Sequence, residues 1–99
     1  MNLKHVVFHS PGPNWQHGVN FREQPGVMDH VQHYAKLLQE EKLLLGGPFT
    51  DADAGGMMIA TGDMSRDELE AFAADDPAIH SDLLTFDVKT WYIAMSEES

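Results

Sequence analysis

The spacing of apolar and polar residues along the chain predicts a β-α-β-β-α-β order. Leu3 to His9 is rich in Val and Phe, with Leu3 and Val7 on one face and Val6 and Phe8 on the other, as in a central strand. From Val27 to about Glu41, positions 27, 30, 31, 34, 37 and 38 recur at helical spacing and predict the first helix. Leu43-Leu44-Leu45 runs into Gly46-Gly47-Pro48-Phe49 as a short strand stopped by turn residues. A second turn, Thr50 to Gly55, carries Asp51 and Asp53, and Gly56 to Ala60 is an apolar strand without polar relief. Ser65-Arg66-Asp67-Glu68 has the form of a capping box, with Met64 and Leu69 placed as a hydrophobic staple, and opens a second helix to about Asp75. Pro77 to Leu83 adds one loose turn. Leu84 to Met95 is the last strand, with Leu84, Phe86, Val88 and Tyr92 on one face and Trp91, Ile93 and Met95 on the other.

This order is the split βαβ arrangement of an α+β, ferredoxin-like fold: a four-stranded antiparallel sheet with two helices on one face. Two helices cover only one side of such a sheet, yet the strands are apolar on both sides. The uncovered side would be a large exposed patch in a monomer, so a homodimer closing into a dimeric α+β barrel is expected. The segment Ser10 to Gly26 breaks the pattern with prolines, glycines and polar residues. It is a long loop for so short a chain, and Trp15, Val19 and Phe21 are too apolar for a disordered segment, so the loop is expected to pack back on the domain. The whole span 1–99 reads as a single domain, with the loop at 10–26 and a tail at 96–99.

Composition narrows the function. There is no cysteine, which excludes disulfides, thiolate catalysis and cysteine-held metal. Six Lys+Arg against sixteen Asp+Glu give a formal net charge of -10, which repels nucleic acid and anionic membranes. The chain opens MNLKHVVFHS, without a basic stretch and long apolar run, and no segment is apolar enough to span a bilayer; a soluble cytoplasmic protein is expected.

Two ionisable residues occupy places where a helix's apolar stripe calls for a hydrophobic one. His30 falls within the stripe Val27, His30, Val31, Tyr34, Leu37, Leu38, and Asp76 follows the stripe Leu69, Phe72, Ala73, directly before Pro77. A buried carboxylate is costly unless paired and a buried imidazole needs a partner, so the two are expected to meet. A His-Asp pair orients the ring and fixes its tautomer, leaving one nitrogen to take a proton from a phenol or from a carbon next to a carbonyl. On that reading His30 is the base and Asp76 orients it, and no cofactor is required.

Beyond these sites, the helix beginning near Asp29-His30, the run Lys42-Leu43-Leu44-Leu45-Gly46-Gly47-Pro48-Phe49, the step Ala74-Asp75-Asp76-Pro77 and the final Phe86, Val88 and Trp91 resemble the YciI-like (YCII-related) family of small dimeric α+β barrel proteins. In that family a helix histidine eighteen residues before the proline of a Gly-Pro turn faces the aspartate of an Asp-Pro step. The matching positions here are His30, eighteen residues before Pro48, and Asp76 before Pro77. The resemblance implies a His-Asp active site; one member removes chloride from a chlorinated hydroxyhydroquinone. The loop Ser10 to Gly26 is longer than in the shorter members.

Around this centre, His9 at the end of the first strand, Trp15 and Phe21 on the loop, and Phe49 are candidate substrate contacts for a planar ring. Metal binding is not expected. His30 and His33 lack an HExxH setting, and no paired carboxylates stand at ligand spacing. His17 and His80 read as loop or surface residues, Met57, Met58, Met64 and Met95 as core or staple, and the pairs Gly46-Gly47 and Gly55-Gly56 as turn glycines. The expected function is cofactor-independent acid/base chemistry, by a lyase, isomerase or dehydrohalogenase acting on a small ring compound. The alternative is a non-catalytic ligand-binding or interaction module in which the His-Asp pair is structural.

Overall fold

A computed structural model describes residues 2–51 and 55–97. Asp53 of the expected second turn and the last residues of the expected tail lie outside the described residues. The elements are β1 (Leu3–Pro11), a 3-10 turn (Phe21–Glu23), α1 (Val27–Gln39), β2 (Leu43–Pro48), β3 (Gly56–Ala60), α2 (Arg66–Ala74), α3 (Pro77–His80) and β4 (Leu84–Tyr92). The strands form one sheet in the order β2-β3-β1-β4, every neighbour antiparallel. The result is the ferredoxin-like α+β arrangement.

Strand register fixes which side chains meet the helices. Val7 pairs with both Met58 and Val88, and all three join Tyr34, Leu37, Leu69 and Ala73 of the helices in the main apolar cluster. Val6, Phe8, Met57, Ile59 and Trp91 alternate onto the opposite face, which no helix covers. A second cluster, of Trp15, Val27, Ala78, Leu83 and Leu84, forms where the long loop returns against the start of α1 and α3. The loop does pack back, through a buried Trp15.

Local chemistry sets the helix limits. Ser65 Oγ accepts from the Glu68 amide at 3.1 Å while Glu68 Oε1 accepts from the Ser65 amide at 3.2 Å, a closed capping box. The Glu68 carboxyl is held below its ordinary value by these bonds to Ser65. At the other end of the fold, α1 stops at Gln39, two residues before the expected Glu41. There Glu41 takes φ 60, and the Lys42 amide donates back to Leu37 O at 2.8 Å. This is a Schellman closure, with a glutamate in the left-handed position that favours glycine.

Other sequence expectations need correction. β2 continues through Gly46, Gly47 and Pro48, so these are strand residues, as is Gly56 in β3. An irregularity between Leu43 and Leu45 turns Leu43 toward the core and leaves Leu44 and Leu45 exposed. β1 runs to Pro11 and the loop contains a 3-10 turn at Phe21–Glu23. β4 ends at Tyr92; the Ile93 amide still donates to Asn2 O at 2.9 Å, and beyond it Met95 is 89% exposed. Tyr92 itself is exposed beyond the helices' reach.

The left-handed cap is open to test by substitution. Glu41→Gly relieves the strain of a side chain at positive φ and is expected to raise stability by about 0.5–1 kcal/mol in urea unfolding; a loss of stability contradicts the assigned cap.

Candidate active site

Three ionisable side chains converge where the two apolar clusters adjoin. His9 follows Val7 on β1, His30 lies between Val27 and Tyr34 on α1, and Asp76 lies between Ala73 and Ala78, so His30 and Asp76 each come from between a residue of one cluster and a residue of the other. Asp76 has no exposed surface and His9 only 2%. Asp76 N-caps α3: its Oδ1 accepts from the Ala78 amide at 2.9 Å, and Pro77 occupies the first helical position, where no amide donor is needed. Its Oδ2 stands 2.5 Å from His30 Nδ1 and 4.0 Å from His9 Nε2.

Partners assign the protons. A carboxylate only accepts, so His30 Nδ1 carries the hydrogen and donates it to Asp76. His30 Nε2 then has no protein partner among the described residues. Likewise His9 Nδ1 donates to the Thr85 carbonyl at 3.2 Å, and His9 Nε2 is 2.9 Å from the Tyr34 hydroxyl. Burial, reinforced by the nearby His30, lowers the His9 pKa from 6.5 to about 4, although Asp76 and the Thr85 carbonyl oppose the shift. The ring is therefore neutral at pH 7 and Nε2 accepts from Tyr34. Burial and then the Asp76 charge push the Tyr34 phenol well above its ordinary value, so it keeps its proton. Burial alone would raise the Asp76 carboxyl, but the hydrogen bond and charge of His30, the Ala78 amide and His9 outweigh it and hold it below the usual carboxylate value.

These rings lie on a cleft of about 360 Å³. Its walls are Trp15 and Phe21 of the loop, Val27, Val31 and Leu38 of α1, and Leu43, Met58 and Leu84 of the sheet. Glycines make the room: Gly56 pairs with His9 across β1 and β3, Pro48 pairs with Gly56, and Gly46 and Gly47 complete that corner. Gly55, at φ 73, leaves space for the His9 carbonyl, which a Cβ there would strike. The loop thus covers the cleft of its own chain.

Of the residues singled out in the sequence, His9, His30, Trp15 and Phe21 line this cleft and Asp76 supports it from behind. Phe49 does not line it; it follows the end of β2, and its amide donates to Gly55 O at 2.8 Å in the connection beyond. Two contributors escaped the sequence reading. Tyr34 reads as an ordinary stripe residue, and only its place one turn after His30 hints at more. Gln24 is buried and closes the loop on itself, accepting from the Gln16 amide and donating to the carbonyls of Gln16 and Val19. His33 is buried too, but Nε2 donates to the Phe72 carbonyl at 2.6 Å and the ring stacks on Phe72, a packing role.

Among the described residues, His9, His30 and Asp76 are the group that could ligate a metal ion, with ligand atoms within 4.8 Å of one another. Bonds of about 2.0–2.1 Å to a tetrahedral ion need ligand atoms roughly 3.3 Å apart. The 2.5 Å His30–Asp76 contact is tighter than that, the spacing of a hydrogen bond.

His9 ties stability to pH. Between pH 6.5 and about 4 the unfolded chain binds a proton at this histidine that the folded one refuses, so stability falls as pH falls through that window. Urea unfolding across it is expected to show a loss in the native protein larger by about 3 kcal/mol than in His9→Leu; parallel curves contradict a neutral His9.

Comparison with known proteins agrees with this architecture. Among solved structures, 5-chloro-2-hydroxyhydroquinone dehydrochlorinase (TftG) from Burkholderia phenoliruptrix AC1100, in complex with 2,5-dihydroxybenzoquinone, is similar with a TM-score of 0.66 and 22% sequence identity, over 92% of this chain and 94% of that one. A search of curated proteins found no significant match. Residues 4–92 match the family model described as YCII-related domain, and the chain belongs to that family.

Proposed function

We propose that this protein is an acid/base enzyme acting on a small ring compound, with His30 as the general base and Asp76 as the residue that orients it. The observation that carries this reading is the buried His30–Asp76 contact, which holds Nδ1 of a ring that lines a largely apolar cleft and leaves Nε2 without a partner among the described residues. In the reaction, Nε2 takes a proton from a ring hydroxyl or from a carbon beside a carbonyl. The released electron pair forms a new π bond, and a leaving group such as chloride departs with its own pair. Without a leaving group the proton returns at another carbon, which is isomerisation. Neither route consumes an oxidant or a carrier. Trp15 and Phe21 flank a planar ring and keep water from it. The similar fold of a dehydrochlorinase holding a dihydroxylated quinone supports this class of substrate.

We further propose that the chain works as a homodimer through the sheet face opposite the helices. Val6, Phe8 and Met57 line a groove of about 260 Å³ there beside Trp91, which is 46% exposed. An uncovered apolar sheet face of this kind is a surface that a second copy would bury.

Two measurements test these readings. With 5-chloro-2-hydroxyhydroquinone and related chlorinated, hydroxylated rings as probes, chloride release is expected from the native protein and at least about 100-fold less from His30→Gln with its fold intact. Probes that bind without turnover, or a variant as active as the native protein, support a binding module instead. Light scattering should give twice the 11.1 kDa chain mass, and Trp91→Glu should give the single-chain mass; a monomeric native protein contradicts the dimer.

A further inference from the structure

Each N–H or O–H that the histidine and tyrosine rings of the cleft floor place in a hydrogen bond is committed inward. His30 Nδ1 donates to Asp76, His9 Nδ1 to the Thr85 carbonyl and the Tyr34 hydroxyl to His9 Nε2. The groups left over are lone pairs: Nε2 of His30 and the oxygen of Tyr34, on rings whose centroids are 5.3 Å apart and which both line the cleft. Neither has a further partner among the described residues. Tyr34 cannot readily turn its hydrogen outward, because that would strand His9 Nε2, a buried acceptor with no other donor.

We propose that the cleft floor presents hydrogen-bond acceptors only, Tyr34 Oη and His30 Nε2, and so selects a small ring carrying O–H donors over one carrying carbonyl or ether oxygens. This rests on the cleft being the binding site for a small ring, and goes beyond it by naming a second recognition residue and the polarity it imposes. Tyr34 is the specificity-determining contact. His9 is a positioning residue that acts through it: a neutral imidazole, held by Thr85, that keeps the phenol's hydrogen pointing away from the ligand. A vicinal diol on an aromatic ring is the simplest ligand that satisfies both acceptors. A ligand with only carbonyl oxygens meets lone pair against lone pair, and pays the desolvation of both.

The polarity also changes in the right sense during a turnover. Once Nε2 has taken the substrate's proton it becomes a donor, facing the oxygen that has just lost its hydrogen. The floor that favours the hydroxylated form before proton transfer thus holds the deprotonated form after it.

The test compares catechol with 1,2-difluorobenzene, a ring of nearly the same size without O–H donors, by calorimetry on the full chain. Catechol is expected to bind the native protein at least about tenfold tighter, although the fluorinated ring is the more apolar and the cleft walls are apolar. Tyr34→Phe should weaken catechol about tenfold and leave 1,2-difluorobenzene within about twofold. His9→Leu frees the phenol to donate, so acetophenone, which only accepts, should bind about tenfold tighter than to the native protein; a merely structural His9 would give weaker binding of every probe. Equal binding of catechol and 1,2-difluorobenzene by the native protein overturns the proposal, whether or not the variants fold, as does a Tyr34→Phe variant that weakens both rings alike. Chloride release by the native protein tests the enzymatic reading and the catechol comparison needs no turnover, so the two fail separately.

Discussion

A carboxylate with no exposed surface must be compensated from within the protein, and in this fold the compensation of Asp76 organises the site. One oxygen is held by an amide of the helix it caps, and the other by an imidazole from the opposite helix. Meeting that need fixes the relation of α1 to α3, and with it the place of the loop that packs on both. It also explains the seam in the core. An unbroken apolar core would leave Asp76 without donors, whereas two clusters with a polar line between them bury it and satisfy it together.

The chemistry follows from the direction of each hydrogen bond. Because Asp76 accepts from Nδ1, Nε2 is the nitrogen of His30 left without a protein partner among the described residues. Because Thr85 accepts at His9 Nδ1, the Tyr34 hydrogen points inward. The sheet contributes by omission: with Gly56 paired to His9 and Gly46 paired to Met58, side chains that would fill the cleft are missing. The loop contributes a fixed wall, since a buried Gln24 ties its backbone and Trp15 anchors it in the second cluster.

Much of the fold and the centre of the site are legible in the sequence, for physical reasons that also mark where legibility ends. Element order follows from periodicity, and the ferredoxin-like class follows from the order. His30 and Asp76 stand out because an ionisable group at a core position violates the stripe on which helix packing depends, and their contact is the consequence. Tyr34 does not stand out, since a tyrosine fits an apolar stripe and its hydroxyl acquires meaning only from His9, brought to it by the sheet. Gln24 and Trp15 act through a loop whose path no periodicity encodes. The glycines of β2 read as punctuation because a strand edge that makes room for a cleft uses the same residue as a turn. Phe49 and Met95 are misplaced for a related reason: apolar character does not tell which residues lie past the last paired position of a strand.

The chemistry of the cleft depends on where one proton sits, and a neutron crystal structure of the deuterium-exchanged protein at neutral pH observes it directly. The result expected is deuterium on His30 Nδ1, directed at Asp76 Oδ2, with none on Nε2. Deuterium on Nε2 with a bare Nδ1, or on the Asp76 carboxyl, would contradict it, for the cleft would then face a donor and no base would be ready to act.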